Sequence, residues 1–217
     1  ECDLTEFWKK SAPSVDQSSI KSIIGWFPTF RQRKMNCGDD TETIFPYGIP
    51  LIKTKDDLLG LNELLRGQRI LLVIQIHHAQ KRTFEIANLS NIIVVNQRVK
   101  EECEITNANL MHHFDAMITD YSAAYHEYIM LNRPIAVSID DYEDYSSHVG
   151  FCIDFFEYIK GFYLKSFDDL KLFISDVADG VDSAKDERHL ALKKIHKYVD
   201  ANSTQRVVDF LCEKVKL

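Results

Sequence analysis

Short apolar runs rich in isoleucine and valine alternate along the sequence with longer segments of helical periodicity. Runs of this length that are bounded by turn residues are typical of buried strands. They predict five strands, at residues 22–27, 69–76, 91–95, 116–119 and 134–138. Because a helix that connects two parallel strands must lie on a face of their sheet, the alternation predicts an α/β fold with a doubly wound parallel sheet.

The periodic segments predict the helices of this fold. Four of them lie at residues 55–66, 107–113, 122–131 and 166–177. Two extra C-terminal helices are predicted at residues 185–199 and 204–214, with Ser203 as a suitable cap for the second. Residues 10–19 are polar and turn-rich, as in a connector. We therefore predict a linker at residues 1–19 and one folded domain at residues 20–217.

Composition excludes several classes of protein. The chain has 26 Lys and Arg residues against 33 Asp and Glu residues, and this net charge of −7 argues against nucleic-acid binding. Five cysteines without a C-x-x-C pair indicate reduced thiols in a cytoplasmic protein. The apolar runs are far shorter than the ~20 residues that span a bilayer. The chain begins at Glu1 and has no signal peptide, so we expect a piece of a longer protein.

Ligands of open α/β sheets bind outside the carboxyl ends of the strands, so the residues that follow each predicted strand are candidates for a site. Arg31 follows the first strand and could bind a phosphate, or it could be a solvated loop charge. His77 follows the second strand, where an imidazole can donate to phosphate oxygens or move a proton. A structural histidine is the alternative there.

The most informative stretch begins at Thr119 and Asp120, which end the fourth predicted strand. Tyr121 then lies in a turn, and Ser122 stands where the next helix should begin. Backbone N–H groups at a helix N-terminus bind anions, and a hydroxyl can join them, so this turn predicts a phosphate site. Glu127 could reach the same pocket and accept hydrogen bonds from substrate hydroxyls. The alternative is a capping serine followed by a solvated glutamate.

Other chemistries find little support in the sequence. Asp140 and Asp141 follow the fifth strand, but no set of carboxylates with metal-ligand spacing accompanies them, so no metal is expected. Walker A, G-x-G-x-x-G, G-x-S-x-G and H-E-x-x-H motifs are missing. The aromatic residues between Phe151 and Tyr163 fit core packing better than base stacking.

Residues 119–145, TDYSAAYHEYIMLNRPIAVSIDDYEDY, resemble the signature of the CDP-glycerol glycerophosphotransferases, which are teichoic-acid and capsule polymerases. The family pattern runs T-D-Y-S-S, then an acid, then R-P-I, then D and Y. Further similarities are FPTFR at residues 27–31, His77 after its strand, GFCIDFFEY at residues 150–158 and DANSTQRVVDFL at residues 200–211. The resemblance covers nearly all of the chain from Ile20 onward.

The resemblance implies a GT-B transferase, in which two Rossmann-like domains face each other across a cleft. This chain would be the C-terminal domain, which binds CDP-glycerol while glycerol phosphate passes to a growing polymer. His77 would stabilise the leaving group, and Glu127 would be a second catalytic residue. The implied substrate-binding residues are Thr29, Arg31, Asp120, Tyr121, Ser122 and Arg206, of which Arg31 and Arg206 could instead be structural.

The resemblance also implies partners and a location. The partners would be the CDP-linked donor, a lipid-linked polymer acceptor and a missing N-terminal domain of the same protein, with no cofactor. The full-length protein would be cytoplasmic and peripheral on the inner face of the plasma membrane.

The sequence departs from the family pattern at several positions. Ala123 replaces a second serine, Val149 replaces an arginine, and His78 and Lys160 each replace a proline. The H-G motif of the family's N-terminal domain, whose histidine resembles a general base, is absent. We therefore expect a domain that binds donor but does not turn over alone. The alternatives are a GT-B domain that uses a nucleotide sugar, and a degenerate binding or scaffold module.

Overall fold

The computed structural model describes residues 4–13, 15–29, 47, 49–76 and 89–215 of the chain. These residues form a parallel sheet of six strands in the order β3-β2-β1-β4-β5-β6. The strands are β1 (Ser22–Phe27), β2 (Ile70–Ile74), β3 (Ile92–Val94), β4 (Ala116–Thr119), β5 (Ile135–Ser138) and β6 (Phe162–Leu164). The predicted doubly wound α/β fold is confirmed.

The order of the strands reverses direction between β1 and β4. The chain runs outward from β1 through β2 to β3, then crosses back so that β4 pairs with the other side of β1. Phe27 at the end of β1 is the register partner of Thr119 at the end of β4. A crevice for ligands opens at such a switch point in open α/β sheets.

Ten α-helices are formed by the described residues. They are α1 (Thr5–Ser11), α2 (Lys55–Gly67), α3 (Gln97–Glu102), α4 (Asn107–His112), α5 (Ala124–Tyr128), α6 (Tyr142–His148), α7 (Phe155–Tyr158), α8 (Phe167–Asp179), α9 (Lys185–Ile195) and α10 (Ser203–Val215). None of the described helices is long and apolar enough to cross a membrane.

Helices cover both faces of the sheet. On one face, buried side chains of α2 and α8, such as Leu61 and Phe173, pack with Trp26 of β1. On the other face, buried side chains of α1, α4, α5, α7 and α9 pack with Leu71 and Val73 of β2. The two faces together account for the near-continuous apolar character of the strands, because a parallel sheet is buried on both sides.

Several predicted elements differ from the structure. The predicted bounds of β1 and β4 are those observed, but β6 was not predicted because its three residues lie within an aromatic-rich stretch. The helix predicted at residues 122–131 is wrong in extent. It is the five-residue α5 followed by a 3-10 turn, Ile129–Leu131, which ends where Asn132 takes a left-handed backbone conformation. The helix predicted at residues 185–199 ends at Ile195, because His196 is extended.

The predicted linker contains part of the packed structure. Helix α1 lies within residues 1–19, and its Phe7 is buried in the same core as Leu4 and Ala12. Lys10 of α1 lies 3.9 Å from the Glu102 carboxylate of α3. Residues 4–12 therefore pack against the domain, in contrast to the bare connector that polar composition predicts.

Gly25 of β1 allows a close approach that positions the start of β4. A Cβ atom at this position would lie 2.3 Å from the ring of Phe114, which is fully buried just before β4. Only glycine leaves room for that ring.

Candidate functional site

The carboxyl ends of β1 and β4 are joined by a direct contact between Thr29 and Asp120. The Thr29 backbone N–H donates to both Asp120 carboxylate oxygens, at 2.8 and 3.0 Å, and its hydroxyl donates to one of them at 2.5 Å. Asp120 is only 1% exposed. Next to it, the hydroxyl of Thr119 donates to the Phe27 carbonyl at 3.0 Å. Two residues that lie 91 positions apart thus fix the start of the segment after β1 against the turn after β4.

The turn at Ser122 differs from the predicted helix start. Its hydroxyl accepts a 3.3 Å hydrogen bond from the Ala124 N–H, and the N-cap position of α5 is Ala123, which makes no side-chain capping bond. Because α5 has only five residues, its dipole gives little help to an anion. Ser122 is half-buried, and its role as a phosphate ligand stays a prediction.

Two tyrosines anchor α5 behind this turn. The Tyr125 hydroxyl donates to the Lys160 carbonyl at 2.9 Å and accepts from the Lys160 N–H at 2.7 Å. Burial raises the pKa of Tyr125 to about 12. The Tyr128 hydroxyl donates to the Phe114 carbonyl at 2.8 Å, and burial raises its pKa further. Both hydroxyls therefore stay protonated at physiological pH, and they hold α5 in place.

Glu127 lies on the exposed side of α5. Its neighbour His126 is half-buried, and its pKa is lowered by burial and by the nearby His196. The His196 ring nitrogen Nε2 donates to the His126 carbonyl at 2.7 Å. The carboxylate of Glu127 thus remains open to solvent on a helix whose other side is packed.

Tyr121 belongs to an aromatic cluster that the sequence analysis did not predict in this form. Its hydroxyl donates to Asp141 at 3.0 Å, and its ring lies 4.1 Å from that of Tyr145, measured between centroids. The rings of Phe151 and Phe155 contact it edge-on. The two ends of the signature stretch thus meet, because β4 and β5 are neighbours in the sheet. The repeated tyrosines after β5 were the sequence feature from which this cluster could have been predicted.

A cleft of about 470 Å³ lies beside this cluster at the carboxyl ends of β5 and β6. It is lined by Ile139, Asp140, Asp141, Tyr142, Glu143, Asp144, Phe156, Tyr163 and Lys165. Carboxylates and aromatic rings together suit a ligand that carries hydroxyl groups on a carbon chain. Within the described part of the chain, no three His, Cys, Asp or Glu residues are grouped to hold a metal ion.

A buried lysine near the carboxyl end of β2 was also not predicted from the sequence. Lys100 of α3 is 8% exposed, and its ammonium donates to Asn107 at 2.5 Å and, at a longer 3.5 Å, to Gln75. Burial lowers the pKa of Lys100. Nothing in its helical sequence context distinguishes it from an exposed lysine.

The structure tests the placement of only some of the remaining predicted site residues. Arg31 and His77 lie outside the described residues. Arg206 is on α10, where its guanidinium binds Asp200 at 2.9 and 3.1 Å and lies over the ring of Tyr198 at 4.0 Å. These local contacts favour the structural alternative for Arg206. The structure therefore brings together Thr29, Asp120, Tyr121 and Ser122.

Comparisons with known proteins point to a family and a fold. Residues 14–213 match the family model described as CDP-Glycerol:Poly(glycerophosphate) glycerophosphotransferase. A sequence comparison with curated proteins finds no match. Among solved structures, the wall teichoic acid polymerase TagF is similar over 100% of this chain, with a TM-score of 0.63 and 19% identity. A variant of TagF soaked with CDPG is similar over 99% of the chain, with a TM-score of 0.62 and 17% identity.

The match covers only part of those polymerases. The chain spans 49% of the TagF chain in one structure and 47% in the other. At this level of identity the likeness concerns the fold, which agrees with the six-stranded parallel sheet.

Proposed function

The chain belongs to the CDP-glycerol:poly(glycerophosphate) glycerophosphotransferase family, and from this we propose that it binds the donor in a polymer transferase. The donor is CDP-glycerol or a similar CDP-linked polyol, and the acceptor is a growing teichoic-acid-like or capsular polymer. The observation that carries the proposal is the contact of Thr29 with Asp120 at the switch point between β1 and β4. It places the signature turn beside the segment after β1.

Each residue has a distinct task in this proposal. Asp120 is proposed to position the site and not to bind the donor phosphates, because its carboxylate accepts the N–H and O–H of Thr29 and is buried. It instead holds Thr29, just after β1, against the turn after β4. Ser122 donates its hydroxyl to a phosphate oxygen, and Glu127 accepts hydrogen bonds from substrate hydroxyls.

The transfer breaks the bond between the two phosphates of CDP-glycerol. A hydroxyl oxygen of the acceptor attacks the phosphorus next to glycerol, and CMP leaves with the electron pair of the broken P–O bond. Catalysis of such a step consists mainly of positioning and of neutralising the developing charge. His77 is proposed to stabilise the leaving phosphate. The base that takes the acceptor proton is supplied by a further domain, so the 217-residue chain binds donor but does not turn over alone.

The cleft beside the aromatic cluster supports a polyol-bearing donor. Carboxylates of Asp141 and Glu143 suit hydroxyl groups, and the rings of Tyr142 and Phe156 suit the carbon chain between them. The full-length protein is proposed to meet its lipid-linked acceptor on the inner face of the membrane.

Calorimetric titration tests the donor site. CDP-glycerol, CDP-ribitol, CMP and a UDP-sugar are added separately to the chain, and the CDP compounds and CMP are expected to give binding heat. No heat from any cytidine nucleotide would exclude the proposal, and heat from the UDP-sugar alone would indicate a nucleotide-sugar transferase. Because no resident cofactor is proposed, EDTA should leave the heats unchanged.

Titration of substituted chains tests whether Ser122 contacts the donor. Ser122→Ala should weaken CDP binding by about 1–3 kcal/mol, because a hydrogen bond to a charged phosphate is lost. Ser175→Ala is the matched control, since its hydroxyl bonds locally to the Lys171 carbonyl on α8. Equal affinity in the two variants would remove Ser122 from the site. If donor binds but the full-length protein forms no polymer with a lipid-linked acceptor, the chain is a binding module.

A further inference from the structure

A second cavity lies at the opposite ends of the strands from the candidate site. It has a volume of about 300 Å³ and lies between α1 and the amino ends of β1 and β2. Strand β1 separates it from the candidate site by roughly 20 Å, because a strand rises about 3.3 Å per residue. The apolar wall of the cavity is formed by Trp8, Ala12, Ile20, Ile23 and Leu71.

The walls of this cavity are fixed by contacts within the domain. Trp8 packs against the core on its face of the sheet. After α1, the chain forms a 3-10 turn, Gln17–Ser19, which is capped by the Asp16 side chain. The Arg69 guanidinium donates to the Ser19 carbonyl at 2.8 Å and so ties this turn to the residue before β2. The cavity is therefore already formed without a ligand, as small-molecule sites usually are.

One carboxylate stands at the edge of the apolar wall. Asp115 directly precedes β4, and its Oδ2 atom accepts the Ile23 N–H at 2.8 Å, which fixes the side chain. Within the described part of the chain, its Oδ1 atom accepts no hydrogen bond, and Asp115 forms no ion pair. The Oδ1 atom can therefore accept a hydrogen bond from a ligand in the cavity.

The other charged residue of the lining is Lys21, and its ammonium is turned away from the cavity. The ammonium donates to the Ala178 carbonyl near the end of α8 at 2.6 Å. Ala178 belongs to the core on one face of the sheet, whereas Trp8 and Leu71 belong to the core on the other face. The negative charge of Asp115 is therefore the charge that these lining residues present to a ligand.

We propose that this cavity binds a small organic cation, a molecule with an apolar body and one ammonium group. The apolar body covers Trp8 and Leu71, and the ammonium group donates to the Oδ1 atom of Asp115. A hydrogen bond between two charged groups is stronger than one between neutral groups, and an aromatic ring also attracts a cation. The proposal concerns a place apart from the donor site and does not depend on the proposed function.

Nuclear magnetic resonance of the ¹⁵N-labelled chain tests the proposal, with 2-phenylethylamine as the probe. The chain has two tryptophans and so gives two indole N–H signals. Trp8 lines the cavity, and the fully buried Trp26 on the other face of the sheet is the internal control. The Trp8 signal should shift and saturate with a Kd of about 1 mM or lower, which is within reach of so small a ligand, while the Trp26 signal stays in place. A Trp8 signal that does not shift would overturn the proposal.

The charge of the probe is tested without any substitution. The neutral 2-phenylethanol has nearly the same shape and should bind at least ~10-fold more weakly than the amine, because it makes no charged hydrogen bond with Asp115. Equal affinity for the alcohol and the amine would show a merely apolar cavity and contradict the proposal.

Matched variants test the carboxylate. Asp115→Asn should weaken binding of the amine at least ~10-fold, because the charge is lost while an amide oxygen remains to accept the Ile23 N–H. Asp56→Asn, at an exposed position on α2, is the control and should bind the amine like the unaltered chain. The same affinity in both variants would remove Asp115 from the site. Calorimetry on the natural polypeptide in full should show the same preference for the amine, and its loss there would mean that the cavity is covered, which also overturns the proposal.

Discussion

Helices α9 and α10 each carry an arginine that binds an aspartate through two hydrogen bonds, but only the arginine of α9 is buried. In α9, Arg188 binds Asp182 at 2.6 and 2.9 Å, and the arginine side chain is fully inaccessible. In α10, Arg206 binds Asp200 at 2.9 and 3.1 Å with about a third of both side chains exposed. The geometry is similar, and the difference lies in what surrounds the pairs.

The buried pair connects parts of the chain that are distant in sequence. Arg188 also donates to the Asn132 carbonyl just before β5, at 3.3 Å, and α9 buries Ala191 and Leu192 beside it. The contacts of Arg206 stay within residues 198–206. The candidate site resembles α9 in this respect, because its contact between Thr29 and Asp120 joins two strands across 91 positions. Long-range contacts build the body of the domain and its site, whereas Arg206 at the start of α10 makes local contacts within the described part of the chain.

The two arginine pairs should therefore differ greatly in their contribution to stability. Arg188→Met should lower the free energy of unfolding by about 3 kcal/mol, because it removes a fully buried guanidinium and leaves the half-buried Asp182 carboxylate without this partner. Arg206→Met should change it far less, because an exposed pair is solvated when broken. Urea denaturation followed by circular dichroism measures both. Similar losses in the two variants would mean that α10 is integrated into the body of the domain.

The same comparison can be made with two aspartates. Asp120→Asn should destabilise the chain by about 2 kcal/mol, because an amide group then faces the N–H and O–H of Thr29 in a buried setting. Asp209→Asn in α10, whose carboxylate accepts only a local 2.7 Å bond from Gln205 in the described structure, should cost less than about 0.5 kcal/mol. The urea midpoint is the measurement for both. An Asp120→Asn variant as stable as Asp209→Asn would show that the contact across the switch point is dispensable.

The distinction between local and long-range contacts also explains how much of the fold the sequence predicts. Alternation of apolar runs predicted β1 and β4 to the residue, because strand periodicity is a local property. It overextended α5, since the apolar pattern continues through Ile129 and Leu131 while the backbone turns at Asn132. It missed β6, whose three residues pair with β5 only once the sheet is assembled.

The candidate site was predicted only in part for the same reason. The resemblance made Thr29 and Asp120 candidate substrate-binding residues, but it did not indicate that the Asp120 carboxylate accepts hydrogen bonds from Thr29. The contact of Tyr121 with Asp141 depends on the pairing of β4 with β5. No spacing within a single segment specifies such a contact.

The smallest expected effect concerns the junction between the two regions, where His196 ends α9 and donates to the His126 carbonyl on α5. Burial, and secondarily His196, lowers the pKa of His126 below its ordinary value of 6.5. Below about pH 6.5, His126 takes up a proton more readily in the unfolded chain than in the folded chain. The stability contributed by neutral His126 is therefore present above about pH 6.5 and is lost as the pH falls. Unfolding by urea at a series of pH values should show a smaller loss of stability on acidification for His126→Gln than for the unaltered chain. His189→Gln, on the exposed side of α9, should follow the unaltered chain. If His126→Gln loses stability on acidification as steeply as the unaltered chain, then His126 is not the source of the acid sensitivity. The burial of His126 would then make no measurable contribution to the pH dependence of stability.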